Sequence, residues 1–182
     1  LGLRIYLFVQ TICWEFFLIL REIYRDSFQR RIPSYLSQFW GISLMRFTRS
    51  YPEIENLDIL KEFYKKNQPA MFVANHNSWM DIPFLGATIG WRNYKLISKK
   101  ELGRVPILGK SIKVGGHIMI DRLDRRSQIR TLKQGISFLK DESIHLCTYP
   151  EGTRTRTGHL EPFKNGAFKM AYKAGAPVIP VS

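Results

Sequence analysis

From residue 70 onward, five short apolar runs recur along the chain, and this alternation constrains the fold more than any other feature. They are 70–74 (AMFVA), 94–98 (YKLIS), 116–120 (GHIMI), 144–149 (IHLCTY) and 178–181 (VIPV). Each is too short for a buried helix and reads as a strand covered on both faces. Helical stretches are expected between them, at about 79–89, 126–140 and 165–174. In the second of these, Ile129, Leu132, Ile136 and Leu139 repeat at three and four. Gly90, Gly115, Gly116 and Gly175 punctuate the pieces. Strands alternating with helices predict an α/β domain over 70–182, with a mixed, largely parallel sheet flanked by helices.

The preceding part of the chain has a different character. Residues 5–20 carry one charge, Glu15, and two uncharged polar residues, Gln10 and Thr11. As a helix this stretch spans roughly 24 Å, short of the roughly 30 Å hydrocarbon core of a bilayer. A basic turn with Arg25, Arg30, Arg31 and Pro33 is expected next, then a second aromatic-rich stretch from Tyr35 to Phe47. Two apolar segments around a basic turn predict a membrane-associated helical hairpin over 1–50, with 51–69 as a linker or amphipathic connection. A pair of ordinary core helices is the alternative. The chain starts without Met and stops at Ser182 within a strand-like run. It therefore reads as part of a longer protein, with the α/β domain incomplete at its C-terminus.

Charge narrows the partners. The chain of 182 residues carries a net +13. Residues 1–69 hold 10 basic and 7 acidic residues, whereas residues 70–182 hold 18 and 8. The positive field thus belongs to the α/β part, and it calls for an anionic partner: a phosphorylated substrate, an anionic membrane or nucleic acid. Two cysteines 134 positions apart exclude a disulfide scaffold and a cysteine-based metal site.

Four blocks can carry chemistry. In the first, Asn75-His76-Asn77-Ser78-Trp79-Met80-Asp81 follows the first apolar run. His76 and Asp81 would lie about 140° apart on a continuous helix. They meet only if His76 sits in the loop and Asp81 in the first helical turn. Ser78 with Asp81 three residues on resembles a capping box that would create such a junction. A carboxylate on one imidazole nitrogen leaves the other as a base, though spacing alone fits a simple helix cap as well.

In the second, Tyr149-Pro150-Glu151-Gly152-Thr153-Arg154 leaves the fourth run as a turn able to cradle a phosphate, or as a solvated surface turn. In the third, Lys99, Lys100 and Arg122 all stand at predicted strand ends, where α/β sheets bind ligands. The fourth is Phe163-Lys164-Asn165-Gly166-Ala167-Phe168, a loop entering a helix. There is no G-x-S-x-G elbow, Walker-type loop or G-x-G-x-x-G. His117, His145 and His159 have no metal-ligand spacing among themselves, and His145, alternating within an apolar run, reads as structural. No helix-turn-helix, zinc-finger or RNP-like signature supports nucleic-acid binding.

Together and in this order, the blocks resemble those of the glycerolipid acyltransferases, especially the lysophosphatidic acid acyltransferases. Asn75-His76 through Asp81 is similar to that family's N-H-x-x-x-x-D motif. Lys99-Lys100-Glu101-Leu102 with Pro106 and Gly109 resembles K-x-E-L-x-x-x-P-x-x-G. Tyr149 through Arg154 resembles [FY]-P-E-G-T-R, and Val178-Ile179-Pro180-Val181 the last apolar-proline block.

The resemblance implies direct acyl transfer without an acyl-enzyme, from acyl-CoA or acyl carrier protein to the sn-2 hydroxyl of lysophosphatidic acid, giving phosphatidic acid. It implies His76 as general base, Asp81 as its partner, and Lys99 or Lys100 at the reacting carbonyl. Arg122, Glu151, Gly152, Thr153, Arg154 and Lys164 would bind the acceptor phosphate. No metal or resident cofactor is implied. The expected partners are the lysolipid, the acyl donor and a bilayer, with the protein membrane-associated and no nucleic acid bound. The alternatives are acyl transfer to glycerol 3-phosphate or another lysophospholipid, and a non-catalytic basic module binding membranes or nucleic acid.

Overall fold

The computed structural model describes Tyr6, residues 31–106 and residues 108–182. Within them a five-stranded sheet forms from the five apolar runs: β1 (Met71–Ala74), β2 (Tyr94–Lys99), β3 (Ile118–Ile120), β4 (His145–Thr148) and β5 (Val178–Val181). Their order across the sheet is β3-β2-β4-β1-β5. Every pairing is parallel, so the mixed sheet expected from sequence is purely parallel. The physical reason is that each strand is followed by a helical segment, which returns the chain to the same end before the next strand begins.

Alternation along the strands sorts the core into two halves. Met71, Val73 and Leu146 point to one face, where Leu139, Met170 and Ala171 cover them. These come from two helices, α5 (Arg125–Lys140) and α6 (Gly166–Ala174). Ala70, Phe72 and Cys147 point to the other face with Tyr94, beneath Leu85 and Ile89. Those two belong to α3 (Asp81–Ile89), and Leu60, Phe63 and Tyr64 of α2 (Leu57–Lys65) close the same face. An outer helix, α1 (Arg31–Thr48), packs along α3. The result is three layers, with apolar cover on both sides as an all-parallel sheet requires.

Some local expectations shift. Pro33, expected in a basic turn, lies within α1 and is buried. The 51–69 connection contains α2. The segment after β2, read as a charge cluster, folds into a 3₁₀ turn (Lys100–Arg104) and α4 (Leu108–Val114). On α5 the buried stripe is Ser127, Thr131, Gly135 and Leu139, and Ile129 is exposed. Small residues let the helix come close to the sheet. A Cβ on Gly135 would stand 2.5 Å from Met170 Sδ and 3.3 Å from Leu146 Cδ1.

Most of the expected N-terminal hairpin, 1–5 and 7–30, lies outside the described residues. Tyr6 stacks on Phe47 of α1, ring centroids 4.4 Å apart, and its hydroxyl lies 2.8 Å from Ser43 Oγ. No helix among the described residues is long and apolar enough to cross a membrane.

Candidate active site

The sheet order positions the chemistry. β1 and β4 are central neighbours, and their onward connections leave in opposite directions, β1 toward β2 and β4 toward β5. Such a switch point opens a crevice at the C-terminal ends of the strands. His76 follows β1, the Tyr149–Arg154 turn follows β4, Lys99 ends β2 and Arg122 follows β3. Three of the four sequence blocks thus lie along the C-terminal end of the sheet.

His76 lies in the loop and Asp81 is the first residue of α3, as the junction argument requires. The imidazole Nδ1 is 2.8 Å from Asp81 Oδ2. The backbone N–H groups of Asn77 and Ser78 donate to the same oxygen at 2.8 and 2.9 Å, and the Ser78 hydroxyl donates to Oδ1 at 3.2 Å. Asp81 accepts the Ser78 N–H as the acid of a capping box would, but Ser78 is not the N-cap. That position is Met80, without a side-chain cap bond, and Ser78 Oγ accepts the Met80 N–H at 2.9 Å. Burial of the Asp81 carboxyl opposes its ionisation, but the Ser78, His76 and Asn77 donors outweigh that and hold it below the usual carboxylate range. An ionised Asp81 only accepts hydrogen bonds, so Nδ1 carries the proton and Nε2 keeps its lone pair.

The β4 turn meets this loop directly. The Tyr149 ring stacks on the His76 imidazole, with centroids 4.2 Å apart. Thr155 N–H donates to the His76 carbonyl at 2.8 Å. Glu151, expected at the phosphate, points inward and is 4% exposed. Its Oε1 accepts the N–H of His76 at 2.7 Å and its Oε2 the N–H of Glu161 at 3.0 Å.

The cations gather beside it. Arg122 reaches across to donate from Nη1 to the Gly152 carbonyl. Gly152 holds φ at +77°, a conformation that favours glycine, and a Cβ there would stand 2.9 Å from the Arg122 guanidinium. Lys164 is drawn toward the neutral form, first by partial burial and then by the positive charges of Arg122 and Lys99. Arg122 and Lys164 both meet the turn after β4, Arg122 through its side chain and Lys164 through its main-chain N–H on the Pro150 carbonyl at 3.0 Å, while Lys99 ends the neighbouring β2. Thr153 and Arg154 are exposed at the mouth of this region.

Lys100 is the exception among the sequence candidates. It pairs with Asp121 at 3.3 Å and lines a cleft of about 280 Å³ with Met119, Ser127, Arg130 and Gln134. No group of His, Cys, Asp and Glu among the described residues is arranged to hold a metal ion. The stacking of Tyr149 on His76 and the inward turn of Glu151 are contacts that the sequence alone does not display.

Comparison with known proteins covers most of the chain. A family model described as acyltransferase matches residues 53–182. The 1-acyl-sn-glycerol-3-phosphate acyltransferase BAT2, chloroplastic, of Brassica napus is 34% identical over 158 residues, covering 86% of this chain and 44% of that protein. The 1-acyl-sn-glycerol-3-phosphate acyltransferase of Haemophilus influenzae is 33% identical over 180 residues, 96% of this chain and 71% of the relative. The chain spans less than half the length of the Brassica protein and of a chloroplastic relative from Arabidopsis thaliana. The crystal structure of the 1-acyl-sn-glycerophosphate acyltransferase from Thermotoga maritima superposes with a TM-score of 0.53 at 23% identity. It covers 98% of this chain and 74% of that one, a likeness of fold.

Proposed function

This chain belongs to the acyltransferase family, and from that premise we propose that it transfers an acyl group from a thioester to the sn-2 hydroxyl of lysophosphatidic acid. The observation that carries the reading is the His76–Asp81 pair at 2.8 Å, at the same end of the sheet as Lys99, Arg122 and Lys164. A base and an anion site at one end suit a substrate with a nucleophilic hydroxyl near a phosphate.

In the proposed step, Nε2 of His76 removes the proton from the acceptor hydroxyl as its oxygen attacks the thioester carbonyl. Asp81 fixes the tautomer and stabilises the imidazolium. The C–O bond forms, the tetrahedral intermediate collapses, and the C–S bond breaks. His76 returns the proton to the departing thiolate. No covalent acyl-enzyme is needed, which agrees with the absence of a supported serine nucleophile. Lys99 is assigned to the developing oxyanion. Arg122, Arg154 and Lys164, with the Gly152–Thr153 backbone, are assigned to the acceptor phosphate. The donor is acyl-CoA or acyl carrier protein, both anionic. The apolar 1–50 segment is assigned to membrane association, which brings two acyl chains to the site.

The test uses the full-length protein with labelled acyl-CoA or acyl carrier protein, offering lysophosphatidic acid, glycerol 3-phosphate and a lysophospholipid separately. The reading predicts preferred turnover of lysophosphatidic acid. Preference for another acceptor would correct the substrate. Turnover of none, with binding to nucleic acid, would replace the enzyme reading with a binding module.

A further inference from the structure

The proposed base is held at more points than its carboxylate. The turn leaving β4 reaches His76 twice, once under the ring and once at the main chain. Tyr149 lies beneath the imidazole with the two planes 21° from parallel. Two residues on, the buried Glu151 carboxylate accepts the His76 N–H. We propose that Tyr149 and Glu151 are positioning residues for His76, so that the acid of the P-E-G-T-R block serves the base and not the acceptor phosphate. The inference rests on the reading of His76 as general base.

Charge argues for it first. A carboxylate aimed at a phosphate would repel it, and both oxygens of Glu151 are already engaged with backbone donors, His76 N–H and Glu161 N–H. Charge-assisted bonds to backbone N–H are stronger than neutral ones. Geometry argues for it next. Asp81 fixes the imidazole at Nδ1, and Tyr149 fixes the plane of the ring. Glu151 and Thr155 tie the N–H and the carbonyl of His76 to the same loop. The ring is thereby held against sliding and tilting, as a base that must meet a hydroxyl requires.

An aromatic face also interacts more strongly with an imidazolium than with a neutral ring, so Tyr149 favours the state formed during transfer. The working part of Tyr149 is its ring. The hydroxyl is buried without a hydrogen-bond partner among the described residues.

Steady-state kinetics of the full-length protein with lysophosphatidic acid as the varied acceptor test this, with thermal midpoints measured alongside. For Y149L, kcat should fall roughly two- to thirtyfold while acceptor KM changes less than about twofold, and Y149F should recover most of the loss. E151A should lower kcat by about tenfold or more at similar KM, with E151Q, which keeps one acceptor oxygen, falling between. E151Q carries the test if E151A does not fold. A tenfold rise in acceptor KM at unchanged kcat in E151Q would place Glu151 at the phosphate and overturn the proposal. Y149F as slow as Y149L would also overturn it. An unimpaired H76A would instead sink the reading of the base itself.

Discussion

Two histidines stand at opposite ends of the same sheet, and both use Nδ1. His76, beyond the C-terminal end of β1, donates from Nδ1 to a carboxylate, which leaves Nε2 basic. His145, at the start of β4, accepts the Ala70 N–H at Nδ1 at 3.1 Å, so its proton sits on Nε2. Tyr64 and Phe72 pack edge-on against it. Burial first, and the charge of Arg92 second, push its pKa down to about 4. The same side chain is thus a candidate base at one end and a neutral packing element at the other. Its neighbours decide which, since a carboxylate partner and a backbone N–H partner select opposite tautomers.

The contrast can be broken from either end. Apart from removal of His76 itself, the largest expected effect is D81N, whose amide removes the charge that favours Nδ1–H and the imidazolium. It should lower kcat by roughly a hundredfold to a thousandfold with the fold intact by circular dichroism. A loss of under threefold would make Asp81 only a helix cap.

The next effect falls on stability at the other end. Because the folded pKa of His145 lies below its unfolded value, the unfolded chain binds the extra proton between pH 6.5 and about 4. The stability is therefore complete above pH 6.5 and is lost on acidification, by at most about 3 kcal/mol. Asparagine keeps an acceptor for Ala70 N–H without the titration. H145N should flatten the pH dependence of the urea midpoint across that window, and an unchanged slope would contradict the assignment.

Smaller effects sharpen the C-terminal end. Arg154 is exposed, and no hydrogen bond or ion pair of its side chain is found among the described residues. R154A should raise acceptor KM about tenfold or more with little change in stability, and an unchanged KM would remove Arg154 from the site. Lys100 is already paired with Asp121 in an exposed bridge. K100A should cost under about 1 kcal/mol by urea melts.

Much of this was legible in the sequence for identifiable reasons. Short apolar runs bounded by polar and glycine-containing turns marked all five strands. The Ser78–Asp81 spacing pointed to a loop-to-helix junction at which His76 and Asp81 could meet, though the helix starts at Asp81 with Met80, not Ser78, as its N-cap. The rest depended on sheet register and close packing. Adjacent lysines differ because β2 ends at Lys99, while Lys100 stands beside Asp121 after β3, a pairing visible only once those strands are side by side. On α5, Leu132, Ile136 and Leu139 of the apolar repeat pack on the core, whereas Ile129 is exposed and the burial of Ser127, Thr131 and Gly135 could not be read from apolar periodicity. Glu151 turned inward because two backbone N–H groups await it there, and sequence does not display those.

One side-by-side measurement bears most directly on the central claim: the initial rates of the full-length protein, H76A and H145N, with lysophosphatidic acid and a labelled acyl thioester near pH 7.5. The account predicts that H76A loses at least about a thousandfold of the rate while remaining folded, and that H145N keeps most of it. Equal rates for H76A and the unmodified protein would contradict it, because the base would then lie elsewhere.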